Sequence, residues 1–268
     1  MDRYRLKNCI ILILVLMNLF LLGSLVTWEG SKHSSQRTAA EQLSSLFAAD
    51  GIALDPSVIS AEVPPTGRTL SRDDDWEHRA AAALLGNDLA RSDQGGGIST
   101  YSSVRGAAMF RSNGSFDAAG TLASDGVDFC TSFCRDFGYE VPEFQLNESN
   151  CGSATVSRLY EDLSVFNGTI TFSITNGILT GVSGTLLPET STETISDEQP
   201  LSASAALTAF QKLRRETQAV VSAVSDMYLC YELQSSAAVP MALVPAWCIV
   251  TDTSNYYVNC STGVISSQ

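Results

Sequence analysis

Cysteines, two histidines and one amide within an apolar run are the residues whose types and spacing could do chemistry. Cys130 and Cys134 stand four apart in a stretch with helical periodicity, which puts both thiols on one helix face. That spacing is not the Cys-x-x-Cys of a redox or zinc site, and no histidine lies nearby in sequence. Core packing is the expectation for the pair, with a bridge from one of them to Cys151 as the alternative. Cys248 and Cys260 flank a predicted hairpin. If Thr253-Ser254-Asn255 is a three-residue loop, Asp252 faces Tyr256 and, counting back, Cys248 faces Cys260. A cross-strand disulfide then fits at a non-hydrogen-bonded pair and contributes about 2–3 kcal/mol in the chain-entropy model. A two-residue loop shifts the register and removes it.

Other chemistry is poorly provided for. His33 and His78 are the only histidines, and no Gly-x-Ser-x-Gly elbow occurs. Gly95-Gly96-Gly97 lacks the lysine and the strand-to-helix setting of a phosphate loop. Leu187-Pro188-Glu189-Thr190-Ser191 lacks the glycine and the following anchor of a sortase signal. Trp247, Tyr256 and Tyr257 could line a peptide groove, but aromatic residues at strand spacing belong first to a core. The expectation is therefore no enzyme, no catalytic or metal-binding residue and no cofactor.

The elements that position these residues begin with an apolar run of 19 residues, 9–27, broken only by Asn18, Gly23, Ser24 and Thr27. As a helix it extends about 28 Å, close to the ~30 Å of a hydrocarbon core. Arg3, Arg5 and Lys7 precede it, so residues 1–8 are expected in the cytoplasm and the rest outside. A cleaved secretory signal would be shorter and end on small residues, whereas Trp28-Glu29 follows here. Within the anchor, the Asn18 amide wants a partner, and interhelical bonds of this kind contribute about 0.6–2 kcal/mol.

Past the anchor, 241 residues remain, enough for two domains. Setting aside Arg3, Arg5, Lys7 and Asp2 leaves 13 basic against 28 acidic residues. Such a surface repels phosphate backbones and excludes nucleic acid as a partner. Six cysteines lie in this outer part, an even count that permits disulfides, with buried free thiols as the alternative.

Four helices are expected outside the membrane: from Thr38 to a stop at Asp50-Gly51, from Asp73 to Gly86-Asn87, from Asp125 to Phe137, and from Ser202 to Val224. Hairpins are expected around Asn113-Gly114 and Asn176-Gly177, favoured two-residue turns, and three or four strands close the chain. Helices followed by antiparallel strands indicate an α+β fold with two domains, 28–124 and 125–268.

Several of these stretches together resemble a known family. They are Asn18-Leu19-Phe20-Leu21 in the anchor, Arg72-Asp73-Asp74-Asp75 with Ala83-Leu84-Leu85-Gly86, and Phe110-Arg111-Ser112-Asn113-Gly114. Val165-Phe166-Asn167, Leu243-Val244-Pro245-Ala246-Trp247 and Tyr256-Tyr257-Val258-Asn259 follow at matching intervals. In this order they resemble the YycI regulatory proteins and their YycH sisters, also called WalI and WalH. The resemblance implies a single-pass membrane regulator with PepSY-like helix-on-sheet domains. Its implied partners are the membrane, a cell-wall sensor histidine kinase of the YycG (WalK) type, met through the helix around Asn18, and a YycH-like protein. An extracytoplasmic module that captures a peptide, cell-wall fragment or protease is the alternative.

Overall fold

The computed structural model describes residues 38–193, 199–236 and 241–267, together with Met17 and Val239. Apart from Met17, the anchor at 9–27, with Asn18, lies outside the described residues. Among the described residues no helix is long and apolar enough to cross a membrane. The fold is mixed α+β and dominated by strands, with four helices among the described residues.

The chain divides into two compact units. The first takes in the described residues through Glu62, Ala203–Met227 and Val250–Ser254; the second is Val63–Ser202, Tyr228–Ile249 and the chain from Asn255. The division does not fall at 124/125, where the turn-rich segment had pointed. The strand ending at Ala123 pairs along its length with one that begins at Ile178, so the expected boundary sits inside a single ladder.

In the first unit, α1 (residues 38–49) ends on Gly51 at a φ of +78°. Phe47 is buried and stacks on Phe210 of α4 (Ala203–Thr217) at 6.4 Å between ring centres. Asp50 fastens the two helices by accepting from Gln211 Nε2 and from Arg215 Nε, both at 2.9 Å. The strand β1 (Ala53–Leu54) pairs in parallel with Ala223 and Val224. The expected continuation of α4 to Val224 is corrected: the helix stops at Thr217, Gln218 adopts a left-handed φ of +55°, and the chain enters a strand at Ala223. Three of the seven residues between Thr217 and the expected end are valines, which suit strands better than helices.

The second unit is built on a long sheet. Its strands are β2 (Arg68–Leu70), β3 (Ala90–Gly95), β4 (Ile98–Ser103), β5 (Gly106–Arg111), β6 (Ser115–Ala123), β7 (Gly152–Tyr160), β8 (Leu163–Thr175), β9 (Ile178–Thr185) and β10 (Ser191–Glu193). The later strands are β11 (Ala223–Gln234), β12 (Met241–Thr251), β13 (Asn255–Asn259) and β14 (Ile265–Ser267); β11 and β12 contribute to both units. The order runs β10-β2-β12-β11-β8-β9-β6-β5-β4-β3, with β7 branching from β8 and β13 from β12. Pairing is mostly antiparallel, as expected, but β11 lies parallel to β8 through Tyr231 and Val165. The Asn167 side chain takes over there, donating to the Leu233 carbonyl at 2.8 Å and accepting from the Leu233 N–H at 2.7 Å.

Helices α2 (Asp74–Leu85) and α3 (Gly126–Phe137) lie on this sheet. Asp73 caps α2 by accepting from the N–H groups of Asp75 and Trp76. Glu77 on α2 is buried yet bidentate with Arg72, at 2.7 and 2.8 Å, and Arg72 also donates to the Gly97 carbonyl and the Ser99 hydroxyl. On α3, Cys130, Phe133, Cys134 and Phe137 are buried, as the periodicity predicts. Phe133 stacks on Phe137 at 4.4 Å and meets Phe172 edge-on at 6.0 Å. The buried Arg158 guanidinium donates to the Gly138 carbonyl at the end of α3, where a cation suits the helix dipole.

Candidate functional site

A groove of about 720 Å3 opens in the second unit where three pieces of chain converge. The β4–β5 turn supplies Val104 and Arg105, and the end of β6 supplies Thr121, Leu122 and Ala123. The start of α3 supplies Asp125, Asp128, Phe129 and Ser132. Counted from the cap Asp125, these four positions follow the i, i+3, i+4, i+7 spacing of one helix face, and Phe129 also packs against the core.

Two close backbone approaches set this geometry. Gly106 of β5 faces Gly120 of β6, with φ of +152° and +147°. A Cβ on Gly106 would lie 2.1 Å from the Ala119 carbonyl oxygen, and one on Gly120 2.1 Å from that of Arg105. The strands therefore come together as only glycine allows, and the Thr121 N–H reaches the Arg105 carbonyl at 2.8 Å. At the helix, the Gly126 N–H donates to the Gly177 carbonyl at 3.0 Å. A Cβ there would meet the same oxygen at 2.9 Å, so the first turn of α3 is pressed against the β8–β9 hairpin.

The lining includes apolar Val104, Ala123 and Phe129 and the charged Arg105, Asp125 and Asp128, while Leu122 is buried in the core. The Asp125 side chain makes no capping bond to the helix it precedes. Among the described residues, neither it nor Asp128 nor the Arg105 guanidinium is engaged in an internal ion pair. Val104 stands fully exposed at the tip of its turn. This arrangement can hold a ligand; cysteine and histidine are missing from its lining.

The residues singled out from the sequence lie elsewhere. Asn18 is outside the described residues. The Cys248–Cys260 disulfide is corrected: the Cys260 N–H donates to the Pro245 carbonyl at 2.9 Å, so counting inward Cys248 lies opposite Tyr257. The cause is the turn, a two-residue Asp252-Thr253 loop closed by the Thr251 N–H on the Ser254 carbonyl at 3.2 Å. All six described cysteines are thiols. Burial raises the thiols of Cys130, Cys134 and Cys260 to about 12 and pushes Cys230 up as well. Such thiols pack and do not attack.

His78 is exposed on α2 with its ring 5.8 Å from Tyr101. Gly95, Gly96 and Gly97, all at positive φ, make the tight turn from β3 to β4. Trp247 is buried with its indole N–H on the Leu201 carbonyl at 2.9 Å, and Tyr257 stacks on Phe166 at 3.7 Å. These aromatics are core. Among the described residues no group of three or more His, Cys, Asp or Glu could hold a metal ion.

The groove left little mark in the sequence, because the chain turns between β4 and β5 at Val104 and Arg105. Val104-Arg105 is no turn signal; the usable mark was the glycine that follows it, Gly106, matched by Gly120. The Asp125, Asp128, Phe129, Ser132 stripe was legible once α3 was placed.

No family model matches the chain, and no curated protein does. Among solved structures it is similar to an uncharacterized protein from Eubacterium rectale ATCC 33656, at 13% identity and a TM-score of 0.44, over 77% of this chain and 81% of that one. It is similar to the C-terminal domain of YpeB from Bacillus megaterium, at 13% identity and a TM-score of 0.34, over 74% and 98%. It is also similar to YycH from Bacillus subtilis, at 13% identity and a TM-score of 0.38, covering 78% of this chain and 55% of YycH.

Proposed function

We propose that this chain is a non-catalytic regulatory protein, tethered to the membrane by residues 9–27, that binds a ligand outside the cell through the groove of its second unit. In this reading it passes the effect to a sensor histidine kinase through the helix around Asn18. The groove carries the proposal: its lining joins apolar Ala123 and Phe129 with Asp125 and Asp128, which form no internal ion pair among the described residues. Support for the membrane partner comes from the basic start, the length of the apolar run and the resemblance to YycI and YycH proteins. Regulation of this kind requires different affinities for two states of the kinase, since equal affinity shifts nothing.

The test is an exchange of residues 9–27 for an unrelated anchor, alongside Asn18→Leu, each in the full chain. Both variants are expected to lose co-purification with the kinase while keeping a folded ectodomain. Normal regulation by the anchor-swapped protein would remove the transmembrane contact from the account.

A further inference from the structure

The sheet of the second unit ends in two unlike edges. At one end β10 is three residues long, and its Glu193 is tied to Arg68 of β2 at 3.1 Å. At the other, β3 is six residues long and exposed at every one of them. Among the described residues it pairs with β4 alone, while α2 packs over β4, β5 and β6. The outer side of β3 is therefore a row of backbone N–H and C=O groups open to another strand.

The charges along β3 indicate which strand that is. Arg91 faces Tyr101 of β4 and Asp93 faces Ser99, so the two charges stand two apart on one face. Two copies paired antiparallel about Ser92 set Arg91 of each opposite Asp93 of the other, twice over. Centring the pair on Arg91 or on Asp93 sets like charges opposite, which destabilises. The irregularity in β3 begins after Asp93, outside the three residues this register uses. Arg91 already gives Nη2 to Asp74 at 2.9 Å but stays 43% exposed, and Asp93 spends Oδ1 on the Gly95 N–H at 2.8 Å. The guanidinium keeps further donors, and the carboxylate further lone pairs, for a second copy. A contact of this kind is isologous, the form that closes on itself as a two-fold dimer. We propose that β3 joins two copies of this chain edge to edge about a two-fold axis at Ser92, extending one sheet into the next.

The test uses the full chain in detergent. Ser92→Cys and Gln94→Cys are each oxidised with copper phenanthroline beside the native chain, which keeps Cys9 and Cys151. In this register the Ser92→Cys thiols sit on residues whose Cα atoms face at about 4.5–5.5 Å, within reach of a disulfide. The Gln94→Cys thiols lie four residues out of register, about 13 Å apart along the strands, and cannot bridge. A linked dimer is expected from Ser92→Cys and not from Gln94→Cys or the native chain. In sedimentation equilibrium the native chain is expected to dimerise. Arg91→Asp and Asp93→Arg should each weaken that dimer about tenfold or more, since each sets like charges opposite twice. An equimolar mixture of the two variants should recover it, because every acid then meets a base. A native chain that sediments as a monomer overturns the proposal and leaves β3 to a strand of another protein. Equal linking at the two cysteine positions, variants that dimerise as the native chain does, or a mixture no tighter than its components also overturns it.

Discussion

Arg72 and Glu77 show what a single pair does in this sheet. Glu77 is taken out of water at the start of α2, and Arg72 returns two short bonds to it while gripping the turn after β3 through Gly97. Removing the arginine leaves an uncompensated buried carboxylate, which costs about 3–5 kcal/mol. Arg72→Ala is therefore expected to lower the urea midpoint far more than Arg72→Met combined with Glu77→Leu. Equal losses would mean that the pair contributes packing and little electrostatics.

Some of this scale was legible in the chain. Asn176-Gly177 announced its two-residue turn, and both residues adopt the positive φ it needs, whereas the loop at Asn113-Gly114 runs over three residues, Ser112 to Gly114. The pairing of Cys248 was not legible, because one residue of loop length decides the register and Asp252-Thr253 carries no special turn signature.

Among the elements, α2 and α3 were readable to within a residue because each has an acidic start, a clean apolar stripe and a glycine stop. The end of α4 was misread because Val220, Val221 and Val224 continue an apolar pattern that suits helix or strand; Val220 is in fact exposed. β7 was missed because its polar positions are serine and threonine, which blur the alternation that Ala154, Val156 and Tyr160 supply.

The α1–α4 contact depends on pH. Bonds from Gln211 and Arg215 hold the Asp50 carboxyl below its usual range. A lowered folded-state pKa gives stability that is fully present above the unfolded value of about 3.9 and is lost as pH falls through the folded one. Asp252, held low by the Ser222 hydroxyl and N–H in the same unit, adds in the same direction. Thermal unfolding followed from pH 5 to pH 2 should show a shallower acid loss for Asp50→Asn than for the native chain. An unchanged slope would show that the bonds seen at Asp50 do not stabilise the fold.

At the scale of the whole molecule, the order of helices and hairpins was readable, whereas the division into units was not. The segment near 124 has turn composition, but β6 before it pairs with β9 beyond it, and the first unit gathers pieces from three separate parts of the chain. Long-range pairing of this sort leaves no local mark. The groove depends on it, since α3 and the β4–β5 turn are brought together by the β5–β6–β9 ladder.

The account rests on the groove being where a signal enters. Thr121 is exposed on its lining, so Thr121→Trp fills the cavity without disturbing the core. The decisive measurement is the kinase's autophosphorylation in cells carrying this variant in place of the native chain. The account predicts that the variant is anchored and folded, still co-purifies with the kinase, and no longer changes kinase output when ligand is supplied. Ligand-dependent output equal to that of the native protein would contradict it.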